Sequence, residues 1–162
     1  MVPPDAKSHA SICDKFKKLW KYYILQSSLA GIALFIVVLV LDRDKMVLIS
    51  AMGATAFIVF AMPTAVSART RNVVGGHLIG LASGAIFYFV PLPYFLEYPL
   101  VITIAVFIMV ALDFEHPPAA GTALAVVINE VSSLDVFVTI MAGAVMLSLC
   151  RHNLRRHLRD LI

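Results

Sequence analysis

From Tyr22 to Leu41 the chain runs for twenty positions without a charge, close to the roughly 20 apolar residues that an α-helix needs to cross a bilayer. Trp20, Tyr22 and Tyr23 stand at its start, where an aromatic belt meets the headgroups. A second apolar run covers 46–63, interrupted by the small residues Gly53-Ala54-Thr55 and closed by Pro63. A third covers 73–96, entered through Gly75-Gly76-His77 and ended by the breakers Pro91-Leu92-Pro93. Residues 99–112 are apolar but only fourteen long. After them come Asp113, Glu115, His116, Pro117 and Pro118, then a short apolar piece, 119–128. Neither piece spans upright alone, and Pro-interrupted segments of this kind read as broken or re-entrant helices lining protein or a cavity. A final run, 134–150, leads into a tail with Arg151, Arg155, Arg156 and Arg159, which is expected to lie as a short helix on the membrane surface.

Composition agrees with this pattern. Of 162 residues 60% are hydrophobic and 14% charged, with a mean hydropathy of +0.90, outside the usage of soluble domains. The spans use nearly the whole length, so a separate soluble catalytic domain is not expected. The division is a basic N-terminal segment 1–21, a transmembrane domain 22–150 and a basic tail 151–162. The first helix follows directly on Lys15 to Lys21 without a cleavage-type signal, and is expected to remain as an anchor.

The net charge of +3 would suggest nucleic acid only if it formed a face, and it does not. Lys7, Lys15, Lys17, Lys18 and Lys21, then Arg69 and Arg71, then the four tail arginines make eleven cations on one side if both termini are cytoplasmic; only Arg43 and Lys45 fall on the other. That count predicts an even number of crossings in a cell (inner) membrane. It does not separate six passes from four plus a re-entrant pair at 99–128. Cys13 and Cys150, each beside basic residues at a cytoplasmic edge, are expected to stay reduced and to hold no metal.

A weak repeat favours six. Leu41-Asp42-Arg43-Asp44 followed by Gly53-Ala54-Thr55-Ala56 has a counterpart in Leu112-Asp113-Phe114-Glu115 followed by Gly121-Thr122-Ala123. With three helices in each half, the second half is inverted. The predicted fold is an all-α membrane protein of about six transmembrane segments, some short or broken, arranged as two inverted three-helix repeats.

The chemistry concentrates in Asp113-Phe114-Glu115-His116-Pro117-Pro118-Ala119-Ala120-Gly121-Thr122. Two prolines suit a helix start, whose unpaired N–H groups and positive end form an anion site; Gly121 allows close approach and Thr122 adds a hydroxyl. A capped turn between packed helices is an equal reading of the same residues. In Arg69, Arg71, Asn72, Gly75, Gly76 and His77 the arginines orient the chain and the glycines serve helix packing, but a histidine one turn inside a span is a functional candidate by default.

His116-Pro117-Pro118 followed by Ala-Ala-Gly-Thr-Ala-Leu, Arg71-Asn72-Val73-Val74-Gly75-Gly76-His77-Leu78 and Gly53-Ala54-Thr55-Ala56, in that family's order, resembles the HPP family of integral membrane proteins over about residues 22 to 150. Chloroplast members of that family are associated with nitrite transport, so the resemblance implies a channel or transporter for a small inorganic anion. The expected solute contacts are His116, Pro117, Pro118, Gly121, Thr122, His77, Asn72, Gly76, Gly53 and Thr55, with helix N-termini near 117–122 and 53–55. Arg69, Arg71, Asp113 and Glu115 are expected to gate or pair; the two carboxylates would otherwise repel an anion. No cofactor or catalytic residue is expected. Two other readings stand beside this one: a metalloenzyme using His77, His116, Asp113 and Glu115, and a non-transporting scaffold. The short chain and its Gly- and Ala-rich faces predict a homo-oligomer.

Overall fold

A computed structural model describes residues 12–40, 46–90, 92–129 and 134–162. They form six α-helices: α1 Ile12–Val40, α2 Met46–Ala61, α3 Thr70–Tyr88, α4 Tyr94–Ala111, α5 Pro117–Ile128 and α6 Leu134–Leu154, with a 3-10 turn at Val66–Ala68 before α3. No strand occurs among the described residues. Lys7 and Leu41 to Lys45, including the charged half of the first repeat motif, lie outside them, as do the side chains of Cys13 and Lys15.

Three stretches, Lys17–Leu39, Tyr94–Ala111 and Leu134–Leu154, are long and apolar enough to cross a membrane; α2 and α5 are shorter. The unequal lengths were legible, but not which helices are long. α4 has 18 residues instead of fourteen, because Pro93 caps it and the chain coils straight through Pro99. Pro99 lies in the second turn, where its missing N–H frees only the Phe95 carbonyl. α2 likewise runs unbroken through Gly53-Ala54-Thr55. Among glycine and alanine only glycine weakens a helix, and a Cβ at Gly53 would rest 3.5 Å from Leu34 of α1 in ordinary contact.

Successive helices alternate in direction. At one end Tyr23 Oη of α1 donates to the Leu161 carbonyl at 3.2 Å, Arg151 Nε of α6 donates to Pro63 beyond α2 at 2.8 Å, and Arg71 of α3 meets Asp113 beyond α4 at 3.0 Å. Every described lysine and arginine side chain belongs to this end; Glu97 and Asp135 mark the other. The helix contacts also have an internal symmetry. Exchange α1, α2, α3 for α4, α5, α6 and each packed pair maps onto another: α1·α2 onto α4·α5, α3·α5 onto α2·α6, α3·α4 onto α1·α6, while α2·α5 and α3·α6 map onto themselves. That is the arrangement a two-fold repeat requires.

The tightest seam is α3 on α5, and glycine makes it. A Cβ at Gly80 would overlap the Ala119 carbonyl, and one at Gly84 would lie 2.6 Å from Val126 Cβ and 2.7 Å from the Ala123 carbonyl. Gly76, Gly80 and Gly84 recur every four residues, so they form one stripe and let the two backbones touch.

The tail departs from the expected surface helix. After Leu154 it makes one turn and then returns as irregular chain toward α1 and α2. Gln26, buried on α1, clips it: its Nε2 donates to the carbonyls of Arg159 (2.8 Å) and Phe60, and its Oε1 accepts from Arg159 N at 3.0 Å. Leu161 N donates to the Ala61 carbonyl at 3.0 Å, and Leu158 is buried in the core with Val59, Phe60 and Leu147. A buried amide without partners costs about 1–3 kcal/mol, so Gln26 and the tail need each other.

Candidate functional site

α5 starts below the level at which α4 ends. Thr70 opens α3, and Gly76, six residues on and so about 9 Å deeper at 1.5 Å per residue, packs against His116, the N-cap of α5. The chain from Leu112 to Glu115 descends through that depth without helical structure, shielded by α3: Asn72 Nδ2 donates to the Glu115 carbonyl at 3.2 Å, and Phe114 fills the space over Gly75. Non-helical backbone at membrane depth is tolerated only where protein covers it in this way.

At the foot of this descent α2, α3 and α5 bring four polar side chains together, all essentially inaccessible: Thr55, His77, His116 and Thr122. Thr55 Oγ1 lies 2.9 Å from His77 Nε2, 3.1 Å from His116 Nε2 and 3.0 Å from the Ala51 carbonyl. His77 Nδ1 lies 2.9 Å from Thr122 Oγ1, and His116 Nδ1 2.8 Å from the Ser67 carbonyl. The two rings sit 5.1 Å apart, tilted by 60°. A recess of about 260 Å³ adjoins the cluster between α4 and α5, lined by Val106, Met109, Val110, Glu115, His116, Pro117 and Ala120.

The bond directions follow from one fixed point. A carbonyl only accepts, so His116 Nδ1 carries a proton toward Ser67, and in the neutral ring Nε2 is then an acceptor. For every ring nitrogen to be paired, Thr55 gives it the hydroxyl proton in place of the Ala51 carbonyl, His77 donates from Nε2 to Thr55, and Thr122 donates to His77 Nδ1. Every polar atom of the cluster is satisfied in this single directed chain.

The remaining expected contacts divide. Gly76 backs His116, and Gly121 faces Ala51 of α2, where a Cβ would fit at 3.5 Å. Gly53 turns away toward α1. The helix starts proposed as anion cradles are corrected on two counts. Residues 53–55 lie in the middle of α2, with no helix end there. At α5, Pro117 and Pro118 occupy the first turn without N–H groups, and Ala119 N is already donated to the His116 carbonyl at 2.9 Å. The polar hydrogens here belong to side chains, not backbone, and each already has a partner.

Arg71 pairs with Asp113 at 3.0 Å, donates to the Leu112 carbonyl at 3.1 Å and covers the Phe114 ring at 4.6 Å. Both charged side chains are more than half exposed, at 56% and 72%, so solvent screens the pair. Asp113 matters more through its backbone, which has φ 58° at the reversal after α4. Replacing it with alanine is expected to cost about 1–2 kcal/mol, since a Cβ without a helping carboxylate is strained there, and glycine less; thermal unfolding in detergent compares the two. Arg69 is the N-cap of α3 without a side-chain cap bond, and Glu115 is exposed. Among the described residues no three His, Cys, Asp or Glu side chains are grouped to hold a metal, so the metalloenzyme reading lacks a ligand set. The sequence reading missed Ser67, whose carbonyl sets the bond directions, and Gly80, whose spacing from Gly76 was the available signal.

Comparison with known proteins places this architecture. The profile of the family described as HPP, transmembrane region, matches residues 16–159. A transmembrane protein of Dictyostelium discoideum is 26% identical over 117 residues, covering 67% of this chain and 41% of its own, so the chain spans about two fifths of that relative's length. No solved structure matches.

Proposed function

The chain belongs to the HPP transmembrane family, and from that premise we propose that it moves a small solute across a bilayer, the candidate being a small inorganic anion such as nitrite. The observation that carries this reading is the buried cluster of Thr55, His77, His116 and Thr122 inside an otherwise apolar bundle. Ionisable and polar groups are expensive inside a membrane protein and mark solute paths. Hydroxyl and imidazole groups can hydrogen-bond an anion with several acceptor oxygens once the cluster opens, and the recess beside His116 brings such a solute to its edge. Arg71 shields the carboxylate of Asp113 at the surface. Nitrite itself rests on the family resemblance.

The cationic end faces the cytoplasm, which puts both termini there, in a cell (inner) membrane. The unit is a homo-oligomer, for which the apolar groove of about 580 Å³ between α3 and α6, lined by Leu78, Leu81, Phe137, Val138, Met141 and Val145, offers a face. We assign the chain no catalytic chemistry.

Reconstituted in liposomes, the protein is expected to raise nitrite flux above that of protein-free vesicles, and His116→Ala to lower it several-fold by removing the imidazole beside the recess. Solute-impermeable vesicles holding folded protein would instead support a scaffold.

A further inference from the structure

We propose that the buried cluster is also a proton site, and that the proton is a second ligand coupled to the solute; the coupling, though not the site, rests on the transport reading above. The reason is the directed chain of bonds. In the neutral state it runs one way, from Thr122 through His77, Thr55 and His116 to the Ser67 carbonyl. The chain ends on an acceptor that never donates, so any other neutral arrangement, such as Thr55 donating to the Ala51 carbonyl, leaves His116 Nε2 without a donor.

One added proton changes that. When a hydronium gives its proton to His116 Nε2, water is left and the ring becomes an imidazolium that donates from both nitrogens. Thr55 can no longer donate to it and must accept. Its hydroxyl proton then has two places to go, each already in bonding range: the Ala51 carbonyl at 3.0 Å and His77 Nε2 at 2.9 Å. The second requires His77 to move its own proton to Nδ1 and donate to Thr122 at 2.9 Å. The protonated cluster is therefore as fully bonded as the neutral one, without moving a heavy atom. A hydroxyl with three partners set around it is what a proton relay needs, and a capped turn does not need it.

Few charged groups among the described residues surround this pair. From the segment before α5, Glu115 lines the recess beside His116, and Asp113 is held by Arg71. From α3 come His77, Asn72 and Arg71, with Arg69 at its cap; α2 presents Thr55, α4 presents Val106, Met109 and Val110, and α5 presents Thr122, Pro117 and Ala120. Among the described residues Glu115 is thus the one carboxylate-bearing residue that borders the recess.

The test begins with nitrogen NMR of histidine-labelled protein in lipid nanodiscs. At neutral pH the expected tautomers are opposite, the proton on Nδ1 in His116 and on Nε2 in His77. Acidification is expected to protonate His116 Nε2. In Thr55→Val, a same-shape change, the His77 proton is expected to distribute over both nitrogens. Equal tautomers, or a His77 signal unmoved by Thr55→Val, would overturn the site. In wild-type liposomes an inward proton gradient is expected to accelerate nitrite uptake over protein-free vesicles. Flux indifferent to the gradient would overturn the coupling. The expected tautomers without any flux would sink the nitrite reading and leave the proton site standing.

Discussion

Gly80→Val is expected to lower the stability of the bundle by about 3 kcal/mol, more than a typical overpacking change, because the new side chain meets backbone and not a flexible side chain. A Cβ at this position already overlaps the Ala119 carbonyl, and the two further methyl groups of valine have no space in the seam. α3 and α5 would have to separate by more than the local slack, and His77 would lose its reach to Thr122. Thermal unfolding in detergent reads the effect, and Gly31→Val is the matched control. Gly31 has nothing within 4 Å of its Cβ position, so the same substitution there is expected to change stability by no more than about 0.5 kcal/mol. Equal shifts for the two would mean that the close α3·α5 seam does not hold the bundle together.

His77→Leu is expected to lower solute flux about tenfold or more, corresponding to the loss of roughly 1.4 kcal/mol of interaction along the path. His77 is the hub of the cluster, bonded through both ring nitrogens and wholly inaccessible. Leucine fills nearly the same volume, so packing is largely kept and the loss is polar. The two threonines are not both stranded: Thr55 Oγ1 can turn to the Ala51 carbonyl at 3.0 Å, which limits the cost in stability. The informative comparison is between flux and melting temperature measured on one preparation. A variant that melts like wild type and transports like wild type would remove His77 from the solute path.

Much of this was legible in the sequence, for reasons that differ from residue to residue. The spans follow from uncharged length, and the break before α5 follows from two adjacent prolines that no helix interior accommodates. His77 and His116 stand out because imidazole is costly in an apolar segment. Their meeting point on Thr55 is another matter, since residues 22 and 61 positions apart are joined only by the way three helices pack. The anion cradle at α5 failed on stereochemistry: the prolines that announce a helix start also remove the N–H groups a cradle needs. α4 was misjudged because residues 94–96 were counted with the run before it, although Pro93 caps a new helix there and a proline early in a helix interrupts little. The Gln26 clip had no local signal at all, because its partner is a backbone segment 133 residues away.

The seams of the cluster differ in kind, and that difference governs how the bundle can move. α3 and α5 touch most closely along Gly76, Gly80 and Gly84, backbone to backbone at Gly80 and against the Cβ atoms of His116 and Val126 at the other two. α2 meets α5 less closely, with a methyl's space between Gly121 and Ala51, and its polar hold on both α3 and the α5 cap is the single hydroxyl of Thr55. Mechanically, α3 and α5 form one stiff block and α2 a leaf resting on it. If the polar centre opens, the side with the least to break is the leaf's, and Thr55 is the latch there.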